Sequence, residues 1–248
     1  MTRKPSGSGW AETLKTIVYA VLIAVVVRKV AFEPFNIPSG SMIPTLLIGD
    51  YLFVSKYSYG YSRYSLPFGL PLIPGRIFAA APERGDVVVF KLPRDNKTDY
   101  IKRIVGLPGD KIQVKGGILH INGEAVKREP MEDFLQRDGF GNERRIKQYM
   151  EVLPNGRRHR ILELSDSEPR TDDTQVYAVP KDHLFAMGDN RDNSQDSRFL
   201  NDVGYVPMEN LVGRAEILFF STDGTAYWWE FWRWFFAIRY DRLFQGIK

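Results

Sequence analysis

Cutting an amide by acyl transfer needs a nucleophile beside a base, and donors for the oxyanion that forms. The 248 residues contain no cysteine. That removes a thiolate nucleophile, thiolate metal ligands and disulfides together. The three histidines are His120, His159 and His183. The first falls in a hairpin pattern and the second in an Arg-rich run, so both are expected at the surface. His183 precedes Asp189 closely enough to be considered as a base. No G-x-S-x-G elbow accompanies it, however, and no H-x-x-x-H pair offers a zinc site. The other possible base is a lysine, which works only when neutral and so needs a pKa well below about 10.4. Burial lowers it by disfavouring the ammonium. A strand through Tyr100–Val105 sets Tyr100, Lys102 and Ile104 on one face and Ile101, Arg103 and Val105 on the other. A two-unit fall for Lys102 corresponds to about 2.7 kcal/mol, within reach of partial burial. The same spacing also describes an exposed Lys-Arg pair at a strand end.

The nucleophile candidates lie in N36-I-P-S-G-S-M-I-P-T45, where Ser39 and Ser41 straddle Gly40 between two prolines. Glycine lets a backbone approach a ligand closely, and N–H groups in such a turn can converge on an anion. Read by physics alone, the segment is equally a Ser/Gly/Pro linker. A third segment, G188-D-N-R-D-N-S-Q-D-S-R198, mixes carboxylates, amides and guanidinium groups. Its spacing fails the calcium-loop pattern at the sixth and twelfth positions. A network of Arg–carboxylate and amide hydrogen bonds bracing nearby strands fits better.

These segments must be positioned by short strands. Tyr51–Lys56, Val87–Phe90, Tyr100–Val105, Lys111–Val114, Gly117–Ile121 and Glu124–Lys127 read as strands separated by Gly-Asp, Gly-Gly and Asn-Gly turns. Strand character returns at Gln175–Val179, Leu184–Met187 and Asn210–Ser221. Ala31–Ser39 is expected to be extended because Pro34 and Pro38 forbid a helix. Tyr57–Pro82 reads as a long surface loop. Residues 128–175 turn charged and lose long apolar runs, which suggests an inserted β-rich subdomain. The fold class is therefore mainly β.

The two ends differ from this middle. Thr16–Val27 carries no charge. It approaches the roughly 20 residues of a membrane-spanning helix if Lys15, Arg28 and Lys29 reach the interfaces. A cleaved signal peptide fits less well, because no A-x-A site follows. Three basic residues before the stretch face two after it, so charge bias hardly orients it. Residues 226–240 hold Trp228, Trp229, Trp232, Trp234, Phe231, Phe235 and Phe236 with Arg233 and Arg239. That is the composition of a membrane–water interface. The organisation expected is a tail and anchor helix (1–30), a β-domain in two parts (31–127 and 176–222) around the insert (128–175), and an interfacial segment (223–248). The net charge of +4 lies in mixed runs, unlike the one-sided basic stripe of a nucleic-acid binder.

Taken in order, P38-S-G-S-M-I-P-T-L46, R84-G-D-V-V-V-F90, Y100-I-K-R-I-V-G-L-P-G-D110 and G188-D-N-R-D-N-S-Q-D-S-R198 resemble the boxes of bacterial signal peptidase I. The resemblance covers residues 31–125 and 175–220 well. It implies the β-fold shared with repressor-type peptidases, one N-terminal transmembrane helix, and no cofactor or metal. Ser41 then resembles the nucleophile and Lys102 the general base. Ser39 resembles the oxyanion-hole hydroxyl, partnered by the Ser41 N–H, and Ser194 the residue that orients the lysine amine. Asp189 with Arg103, and Asp196 with Arg198, resemble supporting ion pairs. Phe35, Ile37, Tyr100 and Ile101 fall where the family lines its substrate pockets.

The implied substrates are secretory preproteins, cut after a signal peptide ending in A-x-A. The implied partners are those peptides and membrane lipid, with no nucleic acid. The implied location is the bacterial inner membrane, N-terminus inside and catalytic domain on the outer, periplasmic face. Three rival readings exist: a repressor-type serine–lysine peptidase, which would carry a DNA-binding domain in front; a silent scaffold, which would lose the serine or lysine; and a metal hydrolase using the acidic box.

Overall fold

The structure, a computed structural model, describes residues 9–65, 73, 75–137, 143–165, 170–227 and 229–247. Its centre is an antiparallel sheet of seven strands. Their order is Phe32–Asn36, Asp50–Ser55, Leu211–Ser221, Val87–Lys91, Asp99–Gly106, His183–Met187 and Val206–Pro207. The apolar run 87–90 occupies an inner strand with both faces buried, as a continuous apolar pattern requires. Val87 and Val89 join a core containing Ile37, Met42, Leu46 and Leu52. Val88 and Phe90 face the opposite way, into a core with Tyr59, Ile104 and Leu184. Phe32–Asn36 is an edge strand, where Pro34, which has no N–H to donate, is tolerated.

Two smaller sheets flank the large one. Lys111–Lys115, Ile118–Ile121, Glu124–Ala125 and Tyr177–Ala178 form the first. Its tight turns are at Gly116-Gly117 and Asn122-Gly123, all four residues having positive φ, as hairpin turns of this length demand. The second comprises Lys127–Pro130, Phe134–Arg137, Glu143–Val152 and Arg158–Glu163. Ile146 and Leu162 from this sheet pack against Ile43, which brings the sheet against the Ser41 segment.

The stretch expected as a plain surface loop, 57–82, is partly structural. Tyr57–Tyr59 is a short 3-10 helix, and Tyr61–Ser62 pairs with Arg76–Ile77. Tyr59 is buried and its hydroxyl donates to Asp86 at 2.8 Å. Arg76 donates to the carbonyls of Gly60, Met208 and Leu211, which explains how a Pro/Gly-rich segment is fixed. Residues 66–72 and 74 of that stretch lie outside the described set.

Gly9–Val30 is a helix of 22 residues. Leu14, Ile17, Val18, Tyr19, Val21, Leu22 and Ile23 on it are exposed. Among the described residues, no helix is long and apolar enough to cross a membrane. The C-terminal residues fold back onto the large sheet. Buried Asp50 accepts from Arg242 Nε at 3.1 Å and Ser221 Oγ at 2.7 Å, and Arg242 Nη2 also donates to the Thr45 carbonyl at 3.0 Å.

Candidate active site

Ser41 sits in a turn between the strands Phe32–Asn36 and Asp50–Ser55. Met42 and Leu46, both wholly buried, pin that turn to the core. The Ile43 N–H donates to Gly40 O and the Leu46 N–H to Met42 O. Lys102 lies on the inner strand Asp99–Gly106, paired with Val88. The two sequence candidates meet: Lys102 Nζ lies 2.7 Å from Ser41 Oγ and 3.0 Å from the Ile101 carbonyl.

Lys102 is 3% exposed, and burial lowers its pKa to about 8 against the partly opposing pull of Asp196 and Asp189. Its hydrogen-bond partners are two neutral oxygens, so no ion pair holds the ammonium. At pH 7 about a tenth of it is neutral. The neutral amine can take the Ser41 proton along the existing contact, which is what a lysine base requires. Its ammonium also lies over the Tyr100 ring, 5.3 Å from the centroid.

The dyad opens onto a cleft of about 530 Å³ lined by Phe35, Ile37, Ser39, Ser41, Tyr100, Ile101 and Lys102. All four expected pocket residues thus meet at one place. Val89, Asn193 and Gln195 also line it, and the Tyr100 hydroxyl donates to Gln195 Oε1 at 3.2 Å. Ser39 is exposed at the cleft. Among the described residues, neither its hydroxyl nor the Ser41 N–H is engaged by another group, so both donors are available to an oxyanion.

The acidic box braces this arrangement from beneath. Arg103 Nε and Nη2 meet Asp189 Oδ1 and Oδ2, each at 2.8 Å, and Nη1 donates to Gly85 O. Arg198 grips Asp196 in the same bidentate way, at 2.9 Å twice, while the Gly188 N–H donates to Asp196 Oδ2. All four side chains of these pairs are about 1% exposed or less. Their guanidinium partners hold both carboxyls below the ordinary carboxylate range against the cost of burial.

Several residues that sequence reading did not single out tie the box to the turn that holds Ser41. The Asn190 N–H donates to Ser41 O at 3.1 Å, and its Nδ2 to Gly40 O at 3.0 Å. Thr45 Oγ1 donates to Asp189. Gly188 is the close approach: a Cβ there would stand 2.2 Å from Ser194 Oγ and 2.5 Å from Ser41 O. Gly188 and Asn190 lie inside a box the sequence picks out, but amide-to-backbone clamps have no spacing signature. Ser194 is buried against Gly188 and its Oγ has no hydrogen-bond partner of ordinary geometry, although it lies near enough to Asp196 to favour that carboxylate. It does not bond Lys102 in this structure.

The histidines stand apart. His183 Nδ1 faces Lys181 O. His159 is a correction: it is 4% exposed, with Nε2 3.2 Å from Glu151. Strand alternation in Arg158–Glu163 turns it inward, while Arg158 and Arg160 face solvent.

A family model described as signal peptidase, peptidase S26, matches residues 10–220. Signal peptidase I of Rickettsia canadensis is 40% identical over 99% of this chain and 97% of its own length. That of Rickettsia typhi is 40% identical over 95% and 93%. A solved signal peptidase I from Enterococcus faecalis aligns at 24% identity with a TM-score of 0.34, covering 54% of this chain and 97% of that one. With a match across most of its length, the chain belongs to the signal peptidase family, peptidase S26, and is a peptide-bond hydrolase.

Proposed function

We propose that this chain removes signal peptides from exported preproteins through a Ser41–Lys102 dyad. The observation that carries the reading is the 2.7 Å contact between Lys102 Nζ and Ser41 Oγ at the floor of the apolar cleft. Neutral Lys102 accepts the Ser41 proton as Oγ attacks the scissile carbonyl. The oxyanion is received by the Ser39 hydroxyl and the Ser41 N–H. The protonated amine gives its proton to the leaving nitrogen, freeing the mature chain. Lys102, neutral again, deprotonates the water that attacks the acyl group and returns that proton to the departing Ser41 Oγ.

The cleft between the edge strand Phe32–Asn36 and the start of Asp99–Gly106 suits an extended peptide. Phe35, Ile37, Tyr100 and Ile101 leave shallow apolar pockets for small side chains, the A-x-A preference. Ser194, whose buried Oγ has no other hydrogen-bond partner, is the hydroxyl that orients the lysine amine in this reading.

The same reading places the enzyme on the bacterial inner membrane. The apolar exposed side chains of the N-terminal helix form the anchor, with the N-terminus inside and the catalytic part outside. Exposed Phe231, Trp232, Phe235 and Phe236 lie on the lipid surface. Arg239 Nη1 binds Ile48 O at 3.0 Å, so this aromatic patch adjoins the nucleophile turn. The test is to incubate the detergent-solubilised protein with a signal-bearing precursor and map the cut by mass spectrometry. Cleavage after an A-x-A-like site supports the reading; cleavage elsewhere, or none, rejects it.

A further inference from the structure

Three carboxylates away from the cleft take no part in this chemistry. Glu163 ends the strand Arg158–Glu163, Asp172 lies in the turn before Tyr177–Ala178, and Asp192 is in the short helix Arg191–Asn193. One oxygen from each lies within 4.8 Å of the others. Residues far apart in sequence thus place three acidic groups on one point, where their mutual repulsion opposes folding.

The decisive side chain is Glu163. It is 1% exposed, and both Oε1 and Oε2 are buried without a hydrogen-bond partner. Arg128 Nη1 makes a long ion pair with Oε2 at 3.8 Å, beyond hydrogen-bond range. Arg191, the other guanidinium nearby, is committed bidentately to Glu151. One long ion pair does not balance three clustered carboxylates, and the buried Glu163 oxygens call for a further positive charge or a proton. Asp192 is already oriented for the former. Its Oδ2 accepts from the Leu164 and Ser165 N–H groups at 2.7 and 3.0 Å, which aims Oδ1 at the cluster. Thr171 Oγ1 bridges Asp172 Oδ1 and Asp192 Oδ1 at 3.1 and 3.2 Å.

The donors are all oxygen, with no imidazole or thiolate among them. Such a set selects hard cations such as calcium or magnesium over zinc or copper. We propose that Glu163, Asp172 and Asp192, with the Thr171 hydroxyl, form a binding site for a hard divalent cation. This goes against the sequence expectation of no metal, which drew on the missing cysteines, the missing H-x-x-x-H pair, the failed calcium-loop spacing and the family resemblance. Here the ligands come from three separate segments, and no local spacing could reveal them. The site is structural, because it shares no residue with the dyad. It ties the end of the insert's sheet to the helix that leads into Ser194.

The experiment uses the full chain in detergent, stripped with chelator, and titrated with calcium and with magnesium by calorimetry and thermal unfolding. One saturable site is expected for either ion. At tenfold excess over Kd, Tm should rise by about 3–6 °C for a chain of this size. Glu163→Gln, nearly isosteric, should abolish both the heat of binding and the Tm rise. Glu132→Gln, at an exposed acid outside the cluster, should change neither. Absence of binding of both ions up to about 10 mM, ten times the weak end of such sites, overturns the proposal. So does a Tm rise that survives in Glu163→Gln. A Tm indifferent to both ions that falls as pH rises assigns the cluster to a shared proton and overturns it as well.

Discussion

Lys102 and Arg103 are neighbours on one strand, both cationic and both buried, yet their surroundings treat their charges oppositely. Arg103 is held by two matched hydrogen bonds to Asp189 and a third to Gly85 O. Lys102 faces a serine hydroxyl and a backbone carbonyl, so burial pulls its pKa down to about 8. The difference lies in what each face of the strand meets. A paired guanidinium is a brace, whereas a buried amine without a carboxylate partner is free to exchange a proton. Carboxylates are near enough to influence Lys102 but bonded to arginines, so the amine is kept from a full counter-charge.

The comparison can be broken at either neighbour. The largest effect is expected at the dyad: Ser41→Ala and Lys102→Ala should each lower kcat/KM by about 10⁴-fold or more, with unfolding still cooperative. Substantial turnover of a preprotein by either purified variant would remove the dyad. Next is the brace. Arg103→Met leaves Asp189 buried and unpaired, and should lower stability by about 3–5 kcal/mol, read from denaturant midpoints. Lys102→Met should do the reverse at pH 7. The folded pKa near 8 lies about 2.5 units below the ordinary value. The charged form therefore destabilises the fold by about 3 kcal/mol, some of which the apolar variant regains.

The pH dependence follows with the same sign. Between about pH 8 and 10.4 the unfolded chain binds more protons at this group than the folded one, so its contribution to stability improves as pH rises and is flat below pH 8. Activity should climb about tenfold per pH unit up to an inflection near 8 and then level off. An inflection near 6.5 would point to histidine instead. The smallest effect belongs to His183→Ala, expected to retain most activity; a loss on the scale of the dyad variants would reassign the base.

Much of this was legible in the chain. The run 87–90 and the turns at Gly116-Gly117 and Asn122-Gly123 have local causes, and those strands form where periodicity puts them. Lys102 could be read as a buried amine because alternation sets it between Tyr100 and Ile104. What brings it to Ser41 is sheet order, to which no local pattern speaks. The ordered boxes supplied that link. His159 was misplaced because its arginine neighbours made the segment look solvated, whereas a strand hides every second residue. Gly188 and Asn190 escaped notice as individual residues because their roles are steric and backbone-directed, created only once the Ser41 turn lies against the acidic box.

The Asp50–Arg242 clasp bears on any attempt to remove the exposed aromatic surface of the enzyme. Its aromatic stretch lies upstream of the guanidinium that neutralises Asp50 and holds the Thr45 carbonyl. Trimming the chain from its end would therefore extract the rivet before it reached the greasy surface, and would leave Asp50, beneath the turn that holds Ser41, with the Leu47 N–H, the Ser221 hydroxyl and the more distant Arg239 alone. That surface is better made polar by replacing Phe231, Trp232, Phe235 and Phe236 in place, with the last turn of chain left fastened.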